Sequence, residues 1–450
     1  MGTLIMAGQL ILALAILVSL HEWGHYIAAR TFGIRVEKFF IFFDAWGIKL
    51  FSKKIGDTEW GIGWLPLGGY VKISGMIDES LDQEQLASEP EDHEFRSKPA
   101  WQRLIVMIGG VTVNFILGVL IFGLSLFYYG TTALPNAAVM EKGGVLVAEI
   151  GENAGLKTGD KILAIDGEEV KKFHDLNAKL FLAHVVEIER NGTKQTVNLP
   201  VNFIDKMFQG EKAPVVELRI PFVIVSAEEN SPNAKAVQPK DIVVNFNGKS
   251  VKYADEVLAE VKNLKGQTIP AIVTRDGKEV PINLKVSDSS TMNIVYAGRL
   301  GASNLEQLGT YPIQRQEYGF GESFGVGITK GADQLVSYGG QLKAIFNPKT
   351  GAYKGVGGFK AIFDIFPEQW SWQTFWNITA LLSIMLGVMN LLPIPALDGG
   401  HVMFLLYEII SGKKPSDKFL ERAQVVGFVL LITLVLFANG NDIYRSIIGK

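Results

Sequence analysis

Residues 4–30 read LIMAGQLILALAILVSLHEWGHYIAAR, an apolar run that ends in two histidines and a glutamate. A helix needs about 20 consecutive apolar residues to cross a bilayer, and residues 1–20 contain no charged side chain. A spacing of four residues places His21 and His25 on one face of a helix, with Glu22 next to them. The stretch therefore predicts a membrane-spanning helix that carries two imidazoles and a carboxylate together.

A cleaved secretory signal peptide is the alternative interpretation of this N-terminal run. Such peptides begin with basic residues and end in a small-residue cleavage site. The first 20 residues contain no Lys or Arg and continue directly into HEWGH. We therefore expect a retained helix, because cleavage before the motif would leave HEWGH without the helix that carries it.

Three further apolar runs follow at 101–129, 375–392 and 425–438, and the residues between the first and second of these have the polarity of ordinary soluble domains. The first two runs are long enough to span a bilayer, whereas the last is shorter than the usual ~20 residues. The sequence therefore predicts a polytopic α-helical membrane protein with about four transmembrane helices.

Basic residues in the short connections indicate the orientation, because cytoplasmic loops are enriched in Lys and Arg. No basic residue precedes the first apolar run. Many follow it or flank the later runs: Arg30, Arg35, Lys38, Lys49, Lys53, Lys54, Lys98, Arg103, Lys413, Lys414, Lys418 and Arg422. We therefore expect the HEWGH end on the cytoplasmic side, with both termini and the long middle region on the outer side.

Charge and cysteine content exclude several classes of protein. A formal net charge of −3 without a basic stripe argues against a nucleic-acid partner. The chain contains no cysteine, which excludes disulfides and thiolate-bound zinc. Any metal must therefore be bound by histidine and carboxylate side chains.

Residues 36–76 contain two aromatic runs with interspersed glycine, VEKFFIFFDAWGIKLF and WGIGWLPLGGYVKISG, which favour β structure. Backbone at membrane depth must be paired and shielded by protein or line a cavity. We expect a membrane-associated hairpin or small sheet beside the first helix. A cytosolic hairpin with exposed aromatic residues is the alternative.

An internal repeat lies between about residues 135 and 286. GDKILAIDG and the later turn Arg190-Asn191-Gly192 match KDIVVNFNG and Arg275-Asp276-Gly277. Each Asn-Gly or Asp-Gly pair is typical of a two-residue hairpin turn. The pattern GLKTGDKILAIDG resembles PDZ domains, which bind extended chains by adding a strand to a sheet edge. The second copy is a weaker match.

Residues 301–372 are rich in glycine and aromatic residues, with apolar residues at roughly helical spacing. Amphipathic helices on a membrane surface and a loosely packed soluble subdomain both fit this pattern. The expected division of the chain is therefore 1–30 first transmembrane helix with HEWGH, 31–76 membrane-associated β region, 77–100 cytoplasmic linker, 101–130 second transmembrane helix, 131–219 and 220–300 PDZ-like domains, 301–372 amphipathic periplasmic segment, 373–412 third transmembrane helix and 413–450 fourth transmembrane helix.

HEWGH has the spacing of a zinc site on a helix. Bound zinc lowers the pKa of a water, and a carboxylate such as Glu22 can take its proton to make a nucleophile for an amide carbonyl. Ionisable residues inside a membrane are functional by default, although these side chains could also lie just past the membrane edge.

A catalytic zinc needs a third protein ligand and an open fourth position. The stretch NLLPIPALDGGH at 390–401 offers Asp398 and His401. Its sequence favours Asp398, because two prolines before it break the helix and two glycines after it allow close approach. His401 is a rival by chemistry alone.

Together, HEWGH, GIGWLPLGGYVKISG, the tandem PDZ-like modules and NLLPIPALDGG make nearly the whole chain similar to the site-2 protease family of M50 zinc metalloproteases, and within it to the bacterial sigma-E regulator type. The resemblance implies one Zn²⁺ ion bound by His21, His25 and Asp398, with Glu22 as the catalytic base. It also implies that Asn390 lies near the site and steadies the substrate or the oxyanion.

The same resemblance implies that residues 67–73 form an edge strand that holds an unwound substrate by backbone hydrogen bonds. The substrate-binding residues would be Gly68, Gly69, Tyr70, Val71, Lys72 and Ile73. Gly110 and Asn114 resemble the family's GPxxN pattern, with Val111 in place of the proline. Small-residue helix packing with a buried polar contact explains that pair equally well.

The resemblance further implies an intramembrane zinc metalloendopeptidase in a bacterial inner membrane, with its PDZ domains in the periplasm. It would cut single-pass membrane proteins, such as anti-sigma factors or remnant signal peptides, after a first cut in their outer domain. The PDZ pair would bind peptide C-termini. The competing hypothesis is a PDZ-bearing membrane scaffold with an inactive metal site, and the intact Glu22 argues against it. A metal transporter would explain neither the repeat nor the base.

Overall fold

The computed structural model describes residues 1–66, 68–76, 89–209, 214–298 and 302–448. Leu67 of the predicted edge strand and residues 77–88, the first half of the predicted linker, lie outside the described residues. The chain forms two compact units, one of Met1–Thr131 with Glu317–Lys450 and the other of Thr132–Gln316. The first unit contains the long apolar helices, and the second contains the repeated modules.

The first unit begins with a long helix, four strands and a second long helix: α1 (Gly2–Thr31), β1 (Val36–Phe40), β2 (Lys49–Ile55), β3 (Thr58–Gly63), β4 (Tyr70–Ile73) and α2 (Ala100–Tyr129). Both helices are long and apolar enough to cross a membrane. Because α1 continues as far as Thr31, HEWGH lies within the helix and its side chains have helical spacing.

The four strands form one sheet in the order β2-β3-β1-β4, with β1 parallel to β3 and antiparallel to β4. Glycine permits close packing here, since a Cβ at Gly61 would overlap the ring of Phe40. Trp23 and Tyr26 of α1 pack their rings against Trp60 of β3. The aromatic residues thus attach the sheet to α1 and leave β4 at one edge.

The second unit consists of two β-rich modules followed by a short tail. Its elements in chain order are β5 (Thr131–Ala133), α3 (Asn136–Glu141), β6 (Val145–Val147), α4 (Glu149–Glu152), β7 (Lys161–Ile165), β8 (Glu168–Glu169), α5 (Asp175–Leu182), β9 (Val185–Arg190), β10 (Thr193–Asn198), α6 (Phe203–Gln209), β11 (Val216–Leu218), β12 (Phe222–Ala227), β13 (Ile242–Phe246), β14 (Lys249–Ser250), α7 (Ala254–Val261), β15 (Thr268–Arg275), β16 (Lys278–Lys285), β17 (Ile294–Tyr296), α8 (Ala302–Gln307) and β18 (Gln314–Gln316). The main sheet of the first module has the order β10-β9-β7-β8, and β11 pairs with β6. The sheet of the second module has the order β16-β15-β13-β12-β17, and each module encloses its own apolar core.

The two modules repeat one buried ion pair. Arg190 Nε lies 2.7 Å from Asp160 Oδ1, and Arg275 Nη2 lies 2.7 Å from Asp241 Oδ2. Burial by itself would raise the pKa of Asp241, but hydrogen bonds from Arg275 and from the Gln238 amide outweigh burial and hold that pKa below its usual value. The aspartates and arginines that align in the sequence repeat therefore have the same structural role in both modules.

After the second unit, the chain returns to the first unit with α9 (Phe320–Ile345), α10 (Phe359–Asp364), α11 (Trp372–Leu391), α12 (Asp398–Ser411) and α13 (Asp417–Ile448). With α1 and α2, helices α11 and α13 make four described helices that are long and apolar enough to cross a membrane. The predicted class, a helical membrane protein with β-rich parts, is confirmed at this level.

Two details of the last predicted spans differ in the structure. The segment 373–412 is divided between α11 and α12, with a proline-containing turn between them. Helix α13 has 32 residues and is much longer than the apolar run at 425–438, because the charged residues that flank the run are helical as well. Length measured on the apolar run alone therefore underestimates this helix.

Candidate metal centre

Three ligand atoms from two distant parts of the chain converge inside the first unit. The Nε2 atoms of His21 and His25 lie 3.3 Å apart. Asp398 Oδ2 lies 3.4 Å from the first and 3.3 Å from the second. Both histidines are buried. The structure therefore brings together the three residues that the sequence predicted as zinc ligands.

The triangle of these atoms fits a tetrahedral zinc ion. Zinc bonds of about 2.0–2.1 Å in a tetrahedron separate the ligand atoms by about 3.3–3.4 Å. The separations here have that size. Among the described residues, no donor forms a hydrogen bond with the buried Asp398 Oδ2 atom, which is costly unless a cation occupies the site. The donor set, two imidazoles and one carboxylate, is one that zinc accepts in catalytic sites.

Helix α2 orients both imidazoles. His25 Nδ1 lies 2.8 Å from the carbonyl oxygen of Val106, so Nδ1 carries the hydrogen and Nε2 is left for a metal. The side-chain amide of Asn114 lies 3.0 Å from His21 Nδ1, so it contacts the His21 ring on the side away from Nε2. A Cβ at Gly110 would overlap His25 Nε2 and crowd the His21 ring. The glycine therefore makes room for the imidazoles.

Asp398 reaches the site from a turn and not from the interior of a helix. It is the first residue of α12, after the turn that follows α11. A Cβ at Gly399 would overlap the carbonyl oxygen of Leu392, and one at Gly400 would lie 2.6 Å from the carbonyl oxygen of Ile394. Both glycines thus allow α12 to begin directly against the end of α11. The structure does not group His401 with the other possible ligands among the described residues.

Glu22 and β4 lie next to each other at the site. The backbone N–H of Val71 donates a hydrogen bond to the Glu22 carboxylate. Tyr70 to Ile73 form β4, while Gly68 and Gly69 precede it. A Cβ at Gly69 would press on the Val18 side chain of α1. The predicted base and the predicted substrate-binding residues are therefore neighbours in space.

Asn390, near the C-terminal end of α11, lies beside the imidazole of His21. Its Nδ2 atom is 3.2 Å from His21 Nε2.

Two groups that contact the site had no sequence signal, the Val106 carbonyl and the Val71 amide. Both are backbone groups, and the identity of a residue does not show what its backbone contacts. Asn114 was recognised only by resemblance, and the polar residue in the apolar run of α2 was its available signal.

The fold and the site together define a membrane-bound zinc metalloendopeptidase of the HExxH type. Residues 9–434 match the model described as Peptidase family M50, and the chain belongs to that family, which is the site-2 protease family. The family assignment made from the motifs is thereby confirmed.

Relatives that align over almost the full chain agree with this family. One is the "Regulator of sigma E protease" of Haemophilus influenzae, 30% identical, with 97% of this chain and 98% of the relative covered. A second is the "Metalloprotease MmpA" of Caulobacter vibrioides, 27% identical, with 100% of this chain and 98% of the relative covered. A Rickettsia conorii protein named "Putative zinc metalloprotease" is 28% identical, with 96% and 97% covered. The name of the Rickettsia relative agrees with zinc as the metal.

Proposed function

We propose that this protein hydrolyses peptide bonds within the transmembrane segments of single-pass membrane proteins. The observation that carries the proposal is the triangle of His21 Nε2, His25 Nε2 and Asp398 Oδ2 with Glu22 beside it, formed among apolar helices. Three protein ligands for one Zn²⁺ ion leave a fourth position open for water, as catalysis requires. Because the site lies among membrane-spanning helices, substrates embedded in the membrane are the ones it favours.

The chain's own residues supply the proton transfers. Zinc, when bound, would polarise the scissile carbonyl and acidify a water. Glu22 accepts a proton from the attacking water and donates it to the leaving amide nitrogen. The Val71 amide holds the Glu22 carboxylate in place. Asn390 Nδ2, beside His21, is placed to donate to the carbonyl oxygen as negative charge develops there.

The β4 edge is the proposed binding surface for the substrate backbone. A peptide bond inside a transmembrane helix is shielded by its own hydrogen bonds, so the helix must unwind before hydrolysis. An unwound segment can then pair with an edge strand. β4 is paired with β1 on one side, and its Val71 amide is a hydrogen-bond donor to Glu22. The contact between β4 and Glu22 supports the proposal that residues 68–73 hold a substrate strand with its peptide bond near the base.

The two modules of the second unit are proposed to be PDZ-like domains, of which the second binds peptide C-termini. In the first module, the Asn177 side chain bonds to both the N–H and the C=O of Val216, so that edge of β11 is already covered. In the second module, β17 ends the sheet, and no hydrogen bond to its outer edge is found within the described residues. Strand addition there would place an extended peptide beside β17.

The relatives and the basic residues of the sequence support a proposed substrate class and location. The name of the Haemophilus relative suggests anti-sigma factors as substrates, and remnant signal peptides have the same single-pass form. We place the protein in a bacterial inner membrane with the second unit in the periplasm and the metal site toward the cytoplasmic side, because basic residues cluster near that end of the helices. A first cut in the outer domain of the substrate is proposed to precede its cleavage here.

A single substitution tests the proposed chemistry. Glu22→Gln removes the base but not a metal ligand, so we expect loss of cleavage of a membrane-anchored single-pass reporter with unchanged zinc content. Glu141→Gln, in the second unit, is the matched control and should leave both unchanged. The measurements are product formation in proteoliposomes and zinc content by mass spectrometry.

Each outcome discriminates between the proposed function and the scaffold hypothesis. Persistent cleavage by the Glu22→Gln protein would overturn the proposed mechanism. Absence of cleavage by the wild-type protein, with peptide capture intact, would favour a scaffold with an inactive metal site. A comparison of membrane proteomes with the wild-type and Glu22→Gln proteins then identifies substrates as trimmed species that accumulate in the mutant.

A further inference from the structure

Helix α13 carries a buried amide on an otherwise largely exposed apolar surface. Gln424 is only 5% exposed, whereas Val425 and Val426 beside it are exposed. A polar side chain buried in a membrane-spanning helix is costly unless it has a hydrogen-bond partner. The position of Gln424 therefore indicates a specific contact.

The partner of Gln424 is the turn that carries Asp398. Gln424 Oε1 accepts a hydrogen bond from the backbone N–H of Ala396 at 3.2 Å, in a buried environment. Ala396 has φ +83°, the left-handed region that residues with a Cβ rarely adopt. An unfavourable conformation persists only where surrounding contacts hold it. Gln424 supplies one such contact, and it does so at Ala396, two residues before the proposed ligand Asp398.

A second contact of α13 lies at the neighbouring residue of the turn. A Cβ at Gly427 would overlap the carbonyl oxygen of Pro395, so the α13 backbone touches the turn directly. Gly427 is three residues after Gln424 and thus on the same face of the helix. The two contacts fall on consecutive residues, Pro395 and Ala396. Helix α13 therefore holds this turn at two adjacent points.

We propose that Gln424 is a positioning residue for the metal centre, which acts by holding the Pro395–Ala396 turn so that the Asp398 carboxylate stays in the ligand triangle. This inference rests on the proposed function, in which Asp398 is a zinc ligand. Loss of the acceptor would leave the Ala396 N–H buried without a partner. The turn would then relax, and small displacements of reacting groups have large effects on catalysis.

Two substitutions at one position separate hydrogen bonding from packing. Gln424→Met has a similar length but no acceptor oxygen at the end, so zinc affinity should fall about 10- to 100-fold. Gln424→Glu retains an acceptor and should restore affinity close to that of the wild-type protein. Val426→Met adds the same side chain at an exposed position of α13 and should change nothing. Zinc affinity is measured by competition with a chelator, on the full-length protein in detergent.

The absorption spectrum of the Co²⁺-substituted protein provides a readout that a general loss of stability would not reproduce. The Gln424→Met spectrum should shift because the ligand geometry changes, whereas the Gln424→Glu spectrum should match that of the wild type. The kcat of reporter cleavage should fall, whereas its KM should change less. If Gln424→Met does not yield folded protein, Gly427→Ala provides the second route, since it pushes on Pro395 and should also lower zinc affinity.

The outcomes separate this inference from the proposed function. Wild-type zinc affinity and Co²⁺ spectrum in both Gln424→Met and Gly427→Ala would overturn the positioning role. Equal loss in Gln424→Met and Gln424→Glu would also overturn it, because the acceptor would not be the cause. If Asp398→Asn itself retained wild-type zinc affinity, the proposed ligand set would fail whatever the Gln424 variants show.

Discussion

The two halves of the proposed metal centre are built in different ways. His21 and His25 lie in the C-terminal half of a continuous hydrogen-bonded helix, and α2 contacts both rings. Asp398 follows a turn with a left-handed residue, and this turn depends on contacts from α13. The comparison teaches that helix geometry alone sets the spacing of the imidazoles, whereas tertiary packing sets the position of the carboxylate.

Removal of one ligand from each half should have the largest effects and should differ between the halves. Both His25→Ala and Asp398→Ala should lose reporter cleavage, because zinc needs three protein ligands for catalysis. Asp398→Ala leaves two prearranged imidazoles and should keep weak zinc binding. His25→Ala leaves one imidazole and a carboxylate on a turn, so it should bind zinc more weakly still. Zinc affinity by chelator competition measures the difference.

His184→Ala, an exposed imidazole of the second unit, is the control for the removal of a histidine. It should leave zinc affinity and cleavage unchanged. Tighter zinc binding by His25→Ala than by Asp398→Ala would contradict the idea that the helical half is the prearranged one.

What the sequence could predict follows the same division. HEWGH predicted the helical half because residues four apart lie on the same face of a helix. Asp398 could be favoured over His401 from the surrounding prolines and glycines, but those residues show only that the chain turns there. The direction of the turn depends on Gln424, which lies 28 residues after Ala396, and no sequence pattern marks that contact.

The fold shows a similar limit. Apolar runs predicted the long helices, and the repeat predicted two similar modules, because both signals are periodic. The order β2-β3-β1-β4 includes a parallel pair of β1 with β3, and alternation of residue types carries no information on which strands pair. Asn177 covers β11 through two hydrogen bonds to the backbone, so residue identity along β11 gave no indication of it.

A methyl group at Gly110 should have the next largest effect, confined to the helical half. A Cβ there would overlap His25 Nε2 and crowd His21, so Gly110→Ala should lower zinc affinity about 100-fold. Gly8→Ala is the matched control, because it adds the same methyl group to a membrane-spanning helix at a point where no atom of the described residues lies within 4 Å. If the two variants bind zinc equally well, the imidazoles do not occupy the positions described.

The smallest expected effect is also the most direct comparison of the halves. Chelation of zinc should leave amide hydrogen exchange at residues 21–25 almost unchanged, because helical hydrogen bonds of α1 protect those amides. Exchange at residues 396–400 should rise about tenfold, since the Asp398 carboxylate loses the cation that ties it to the imidazoles. Hydrogen exchange measured by mass spectrometry on the full-length protein, with and without chelator, resolves both segments. An equal rise in both segments would mean that the metal, and not the helix, arranges His21 and His25. A rise at 396–400 alone would mean that the helix arranges the two imidazoles before the metal binds, and that the metal then fixes the Asp398 carboxylate.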